Sequence, residues 1–227
     1  MSTITNKRFK RSEPIEKMIE FAEFLTYNIP PGPNCLPQQW YVNLHKGGIV
    51  VYLFSMMVYY DNWSLGAWLY FAMHGSYGIC WLLKDFVFPD PSWRKKCTIV
   101  SWLLPWPIAM VPYMLPGYWM MSRQGTETVQ NPSGERMFIS LILYIFGLVF
   151  VMLTDAQKYL VLKERKGLIT HSMMGNSRNM NYLGEMMLYA AFGVLVGRWE
   201  TWLIYSYMWG IVFMIRMTIK DYSLSKK

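Results

Sequence analysis

Four polar residues stand at the start of an apolar run near the C-terminus. They are Arg178, Asn181, Tyr182 and Glu185, and the run continues to Gly197. On a helix, Asn181 and Glu185 share a face because they are four residues apart, and Tyr182 lies on the same side, three residues from Glu185. A carboxylate, an amide and a phenol are costly beside lipid, so this face indicates a functional site. Arg178, just ahead of the helix, could hold an anion there.

Simpler interpretations of these carboxylates remain open. Glu185 can be a first-turn carboxylate that is favoured by the helix dipole and paired with Arg178. Asp155, which follows an earlier apolar block, has Lys158 and Tyr159 at helical spacing. Ordinary surface ion pairs would explain that pattern and contribute little to stability.

A second polar patch, HGSYG, interrupts an apolar block at residues 74–78. Its two glycines allow close contact with another helix or close approach of a ligand. Packing with an internally bonded His74 is the simpler interpretation.

The elements that would position these residues are membrane helices. The 227-residue chain is 53% hydrophobic, with a mean hydropathy of +0.15. Its apolar blocks cover residues 47–60, 65–83, 98–121, 137–153, 182–197 and 199–217. Because roughly 20 apolar residues cross a bilayer, they predict an all-α, polytopic bundle of about six transmembrane helices. Proline residues in the third block predict a kinked or broken helix.

Basic residues predict the orientation of this bundle. With six spans, Arg123, Arg136 and Arg198 fall on one side and the other 19 Lys and Arg residues on the opposite side. Since basic residues gather on the untranslocated side, both termini should face the cytosol or the mitochondrial matrix. The net charge of +8 therefore reflects topology, and we expect no nucleic-acid partner.

The region before the bundle divides into three parts. Residues 1–12 are basic, and residues 13–27 have the spacing of an amphipathic helix that lies at an interface or packs on a partner. A proline-rich connector follows, so residues 1–46 form an N-terminal region and residues 47–227 the transmembrane bundle. We expect His45 and Lys46 to flank the first span, with Lys46 reaching the membrane surface.

Cysteine and histidine residues are too scattered for a metal site or a disulfide framework. They are Cys35, Cys80, Cys97, His45, His74 and His171.

Three segments in order resemble the C-terminal domain of steroid 5α-reductase-like membrane enzymes and, more distantly, isoprenylcysteine carboxyl methyltransferases. They are TDAQK at 154–158, GLIT at 167–170 and RNMNYLGE at 178–185. The similarity covers about the last 80 residues, so the reductase-like part is residues 137–227.

The resemblance implies an NADPH-dependent reductase, with cofactor entry from the cytosolic side. Such enzymes transfer a hydride to a C=C bond conjugated to a carbonyl in a lipid or sterol-like substrate. By motif, Asn181 and Asp155 would contact the cofactor, with Arg178 and Tyr182 beside them. Arg216 resembles an arginine that the family places near the cofactor. Glu185 would help to polarise the substrate carbonyl.

The sequence also departs from the family pattern. Met180 replaces the proline that precedes the Asn-Tyr pair, and His74-Gly75 stands where a His-Tyr pair is expected. Tyr77 is the candidate replacement for that tyrosine. The family's aromatic, Tyr-Pro-containing tail is expected to be absent after Lys227, unless another chain supplies it.

These departures leave two other functions open. One is a catalytically inactive family member that serves as a structural subunit of a larger complex, for example in the mitochondrial inner membrane. The other is a membrane methyltransferase. The expected partners are membrane lipids, proteins of a membrane assembly and, for an active enzyme, a hydrophobic small-molecule substrate. The expected location is the endoplasmic reticulum or the mitochondrial inner membrane.

Overall fold

The computed structural model describes residues 13–124 and 127–225 and is almost entirely helical. Its helices are α1 (Glu13–Tyr27), α2 (Gln38–Tyr59), α3 (Leu65–Val87), α4 (Ile99–Leu103), α5 (Val111–Met121), α6 (Glu127–Gln130), α7 (Gly134–Glu164), α8 (Ser172–Asn176), α9 (Met180–Val196), α10 (Trp199–Tyr207) and α11 (Met214–Ser225). Two short strands, β1 (Leu36–Pro37) and β2 (Lys96–Cys97), pair antiparallel. The all-α prediction is confirmed, while the basic segment 1–12 lies outside the described residues.

Within the described residues, three helical segments are long and apolar enough to cross a membrane. They are Ile99–Met121, Gly134–Glu164 and Trp199–Tyr222. These segments indicate an integral membrane protein, but the predicted count of about six spans is not supported. Helices α2 and α3 have 22 and 23 residues but carry polar groups such as Lys46 and His74, and α9 has only 17 residues.

Of two predicted helix boundaries, the start of the first span is wrong and the turn between the last two apolar blocks is confirmed. Helix α2 begins at Gln38, so His45 and Lys46 lie inside it and do not flank it. The predicted tight turn between the last two apolar blocks is confirmed. Gly197 ends α9 with φ 66°, in the left-handed region that glycine adopts without steric cost, and α10 begins at Trp199.

The proline-rich block remains helical throughout residues 99–121. A π-helical turn, Trp106–Met110, follows Pro105 and joins α4 to α5. The wider turn accommodates the missing N–H groups of the prolines, so the helix is locally widened rather than broken. A second π-helical turn, Met208–Phe213, joins α10 to α11.

Glycine residues bring the helices of the bundle close together. A Cβ added at Gly184 of α9 would lie 2.7 Å from the carbonyl oxygen of Gly147 in α7. A Cβ added at Gly78 of α3 would overlap the carbonyl oxygen of Lys46 in α2. These crossings bring backbones closer than larger side chains would allow, and they set the positions of the polar residues on α2, α3, α7 and α9.

Helix α1 is amphipathic, as predicted, and packs against α4 and β2. Ile19 is its buried residue, whereas Phe21 and Phe24 are exposed. The backbone N–H of Thr98 donates to the Tyr27 carbonyl, which fixes the end of α1 beside the start of α4.

Candidate functional site

A buried lysine lies at the centre of the candidate site. Lys46 of α2 is 7% exposed. Its ammonium nitrogen donates to the phenol oxygen of Tyr77 in α3 at 3.0 Å and to that of Tyr189 in α9 at 2.9 Å. Gly78 allows this arrangement because α3 can approach the backbone of Lys46 closely. The prediction that Lys46 reaches the membrane surface is therefore wrong.

Aromatic rings surround the Lys46 ammonium. The nitrogen lies 4.3 Å from the ring centre of Tyr77, 5.0 Å from that of Trp81 and 5.4 Å from that of Tyr189. Tyr113 of α5 stacks on Tyr189 with 4.1 Å between the ring centres. Cation–π attraction supports an ammonium in such a setting, so the helices hold the charge inside the bundle.

A second lysine forms a largely buried ion pair with Asp155. The ammonium of Lys84 in α3 lies 2.6 Å from the Asp155 carboxylate in α7, and it also lies 3.7 Å from the ring centre of Trp81. The interpretation of Asp155 as a surface ion-pair residue beside Lys158 is therefore wrong, because its partner lies on another helix and the pair is largely buried. Lys158 pairs instead with Asp90 at 2.5 Å.

Glu185 lies one helical turn before Tyr189 on α9. It makes no hydrogen bond or ion pair with any residue that the structure describes. Its electrostatic neighbours are Lys46, Lys84 and Asp155. The alternative in which Glu185 pairs with Arg178 is wrong, because Arg178 lies 3.6 Å from Asp221.

The other predicted cofactor residues lie near the start of α9. The Tyr182 ring packs on Phe213, with 5.1 Å between ring centres, and Arg216 is an electrostatic neighbour of its phenol. Lys220 donates to the Arg178 carbonyl. Helix α11 therefore brings Arg178, Tyr182 and Arg216 into one region.

Asn181 belongs to the same turn of α9. Its side-chain oxygen is buried and accepts no hydrogen bond within the described parts of the chain. A buried acceptor without a donor is uncommon in folded proteins, and a donor from water or from a ligand would satisfy it. Asp155 lies apart from this group, paired with Lys84.

His74 has a structural environment. Its Nδ1 lies 3.2 Å from the Tyr70 hydroxyl, and its ring stacks on Phe192 at 4.5 Å. The packing interpretation of the 74–78 patch is therefore supported for the histidine, whereas Tyr77 faces the Lys46 ammonium. Among the described residues, no group of three His, Cys, Asp or Glu side chains could hold a metal ion.

The Asp90–Lys158 pair joins the segment just after α3 to the C-terminal part of α7. Burial raises the pKa of Asp90, but the Lys158 ammonium and hydrogen bonds from Ser92 outweigh burial and lower that pKa below its ordinary value of 3.8. Asp90 is thus ionised and paired at neutral pH.

Sequence reasoning missed Lys46, Lys84 and Tyr189. The signal for the two lysines was their position at the edge of an apolar block. A charged side chain there indicates a functional site when it faces the interior of the bundle. No comparable signal marked Tyr189, because a tyrosine within an apolar run most often serves packing.

In comparisons with known proteins, no family model matches the chain, and neither a curated protein nor a solved structure does.

Proposed function

We propose that the protein is a membrane reductase that uses NADPH to reduce a C=C bond conjugated to a carbonyl in a lipid or sterol-like substrate. The observation that supports this best is the polar face of α9. It directs Glu185 and Tyr189 towards a buried ammonium and the Tyr77 phenol, next to a turn with an unsatisfied amide acceptor on Asn181.

The residues near the start of α9 suit a phosphate-bearing nicotinamide cofactor. The unpaired Asn181 oxygen can accept from a carboxamide N–H. Arg178 and Arg216 supply cations for phosphates, and the 3.6 Å pair of Arg178 with Asp221 is half exposed and open to exchange. The Tyr182 ring, which is an electrostatic neighbour of Arg216, offers an apolar face to the cofactor. NADPH held there would supply the hydride.

The substrate carbonyl would lie one layer deeper, at Tyr77. The oxygen of this phenol accepts from Lys46, so its own proton is available to a carbonyl oxygen. Hydrogen bonding of that kind stabilises the negative charge that develops on the oxygen when a hydride adds to the β-carbon. Glu185 is the nearby carboxyl group through which a proton can reach the α-carbon.

A lipid substrate would have to reach Tyr77 from the membrane. Helices α2, α3 and α9 would also be embedded, since α2 buries His45 and Lys46 while Val51 and Val58 are exposed. Polar side chains inside and apolar side chains outside suit a helix in lipid. This arrangement would restore six spans and place both termini on one side.

A structural role is the second candidate. Asp155 is fully engaged with Lys84, and Arg178 is paired with Asp221. Two of the five predicted cofactor residues thus have ion-pair partners within the chain. An inherited site can persist as packing in a subunit of a larger membrane complex after activity is lost.

The test is NADPH binding to the protein purified in nanodiscs, followed by tryptophan fluorescence. Asn181→Ala should weaken binding about tenfold or more, because a buried hydrogen bond is lost. Asn131→Ala changes an exposed asparagine in the loop before α7 and is the matched control. Glu185→Gln should still bind NADPH but reduce a long-chain alkyl cyclohexenone much more slowly.

Two results would separate the candidates. Saturable binding that Asn181→Ala weakens and Asn131→Ala does not would support the reductase. The absence of binding to a wild-type protein with a normal melting temperature would contradict it. Partner proteins that co-purify stoichiometrically in that case would favour the structural role.

A further inference from the structure

Two buried phenols around Lys46 have protons without acceptors. Tyr77 and Tyr189 are each 1% exposed, and each phenol oxygen accepts from the Lys46 ammonium. An ammonium has no lone pair, so neither phenol can donate its proton back. Within the described residues no other acceptor contacts either hydroxyl.

These two donors can meet on one external atom. Both phenol oxygens lie within 3.0 Å of the same nitrogen. A single oxygen atom at ordinary hydrogen-bonding distance can therefore accept from both. The third N–H of Lys46 is also unused by the described residues, and it adds a positive charge close to the same position.

A third phenol lies beside them. Tyr113 is 5% exposed, stacks on Tyr189, and its hydroxyl has no hydrogen-bonding partner in the described chain. Buried polar groups are usually satisfied. Tyr113 thus places a hydroxyl that has no hydrogen-bonding partner among the described residues next to the two phenols whose protons have no acceptor there.

We infer that Lys46, Tyr77 and Tyr189 form a buried oxyanion site that binds the ionised oxygen of a lipophilic ligand, such as a phenolate or an enolate. The ammonium provides the charge, and the two phenols provide directed hydrogen bonds. The rings of Trp81 and Tyr113 lie next to these groups and would contact the apolar body of such a ligand. The inference rests on the carbonyl-binding role proposed for Tyr77 and extends it to ligands that are already ionised, whose binding requires neither NADPH nor turnover.

Other charged groups near the site sharpen this inference. Glu185 and Lys84 are electrostatic neighbours of Lys46, and Asp155 is a neighbour of Glu185 and pairs with Lys84. The histidines His45 and His74 also lie close to Lys46. Lys84 and Asp155 neutralise each other, which leaves Glu185 as the carboxylate that opposes an incoming anion. Removing its charge should therefore strengthen oxyanion binding.

The probe for this site is a dodecyl nitrophenol, whose phenolate absorbs visible light. The protein in nanodiscs would be titrated with the probe across pH, with empty nanodiscs as the reference for simple partition into lipid. Bound probe should ionise at a pH lower by about one unit or more, as expected beside a cation. No NADPH is needed, so failure of the reductase proposal would not affect the result.

Variants assign the effect to the named residues. Tyr77→Phe and Tyr189→Phe should each weaken phenolate binding about tenfold, and Lys46→Met should abolish the change in ionisation. Glu185→Gln should strengthen phenolate binding. Tyr144→Phe removes another largely buried phenol, one that bonds to Ser76, and should leave the titration unchanged.

The inference is wrong if wild-type protein and empty nanodiscs titrate the probe alike. It is also wrong if the two Phe variants, which are almost isosteric and should fold, behave like Tyr144→Phe. Should Lys46→Met fail to fold, the Phe variants and Glu185→Gln still decide the question.

Discussion

The close crossing of α7 and α9 can be tested with one added methyl group. In Gly184→Ala, the new Cβ would lie 2.7 Å from the Gly147 carbonyl oxygen and 2.9 Å from the backbone nitrogen of Val151. Both obstacles are backbone atoms, which cannot rotate away. The helices must therefore separate by about 0.7 Å to reach ordinary contact, the kind of overpacking that costs about 1–3 kcal/mol.

That cost should be visible in a thermal melt. For a chain of this length, each kcal/mol corresponds to about 2–4 °C, so Gly184→Ala should lower the Tm by about 2–12 °C. The assay is intrinsic fluorescence of the purified protein during heating, in one fixed detergent. Since α7 carries Asp155 and α9 carries Glu185, the same variant should also weaken any ligand binding at the site.

Gly48→Ala is the matched control, because a Cβ at Gly48 would have no neighbouring atom within 4 Å. Alanine favours a helix over glycine, so this variant should be unchanged or more stable by up to about 1 kcal/mol. The reasoning would be refuted if Gly184→Ala and Gly48→Ala melted at the same temperature.

Three further substitutions test single contacts. Lys84→Met should destabilise the protein by about 3 kcal/mol because it leaves Asp155 unpaired in a largely buried position, and adding Asp155→Leu should recover most of that loss in the same melt. The pKa of Asp90 is lower in the folded than in the unfolded protein, so its pair with Lys158 stabilises the fold above pH 3.8 and loses this contribution as the pH falls below that value. Both partners are partly exposed, so the effect is below about 1 kcal/mol, and Asp90→Asn should remove that part of the acid dependence of the Tm. Gly197→Ala places a side chain at φ 66° and should cost about 1–2 kcal/mol, whereas unchanged melting would show that the turn can relax.

The all-α fold class and the turn at Gly197 could be predicted from the sequence, because long apolar blocks and turn residues are local signals. The start of α2 could not, since residues 38–46 are too polar to be recognised as part of a span. The side chains of Gln38, Asn43 and Lys46 in this segment are satisfied by tertiary contacts, as in the hydrogen bond from Asn43 to Asp85. Such contacts depend on how helices pack and not on the local sequence.

The candidate site shows the same division. Asn181, Tyr182 and Glu185 were recognisable because they interrupt an apolar run at helical spacing. Their neighbours could not be recognised, because Lys46 and Tyr189 are 143 residues apart in sequence and meet only in the folded bundle. The partner of Asp155 was missed for the same reason, since the nearest lysine in sequence, Lys158, pairs elsewhere.

The close contact between Gly78 and Lys46 has a consequence for which residues can occupy these two positions in related sequences. The Lys46 carbonyl occupies the place where a side chain at residue 78 would lie. A larger residue there would push α3 away from α2 and leave the Lys46 ammonium without its phenol partners, a costly state for a buried charge. In descendants of a common ancestor, lysine at 46 should therefore be found only where residue 78 is glycine.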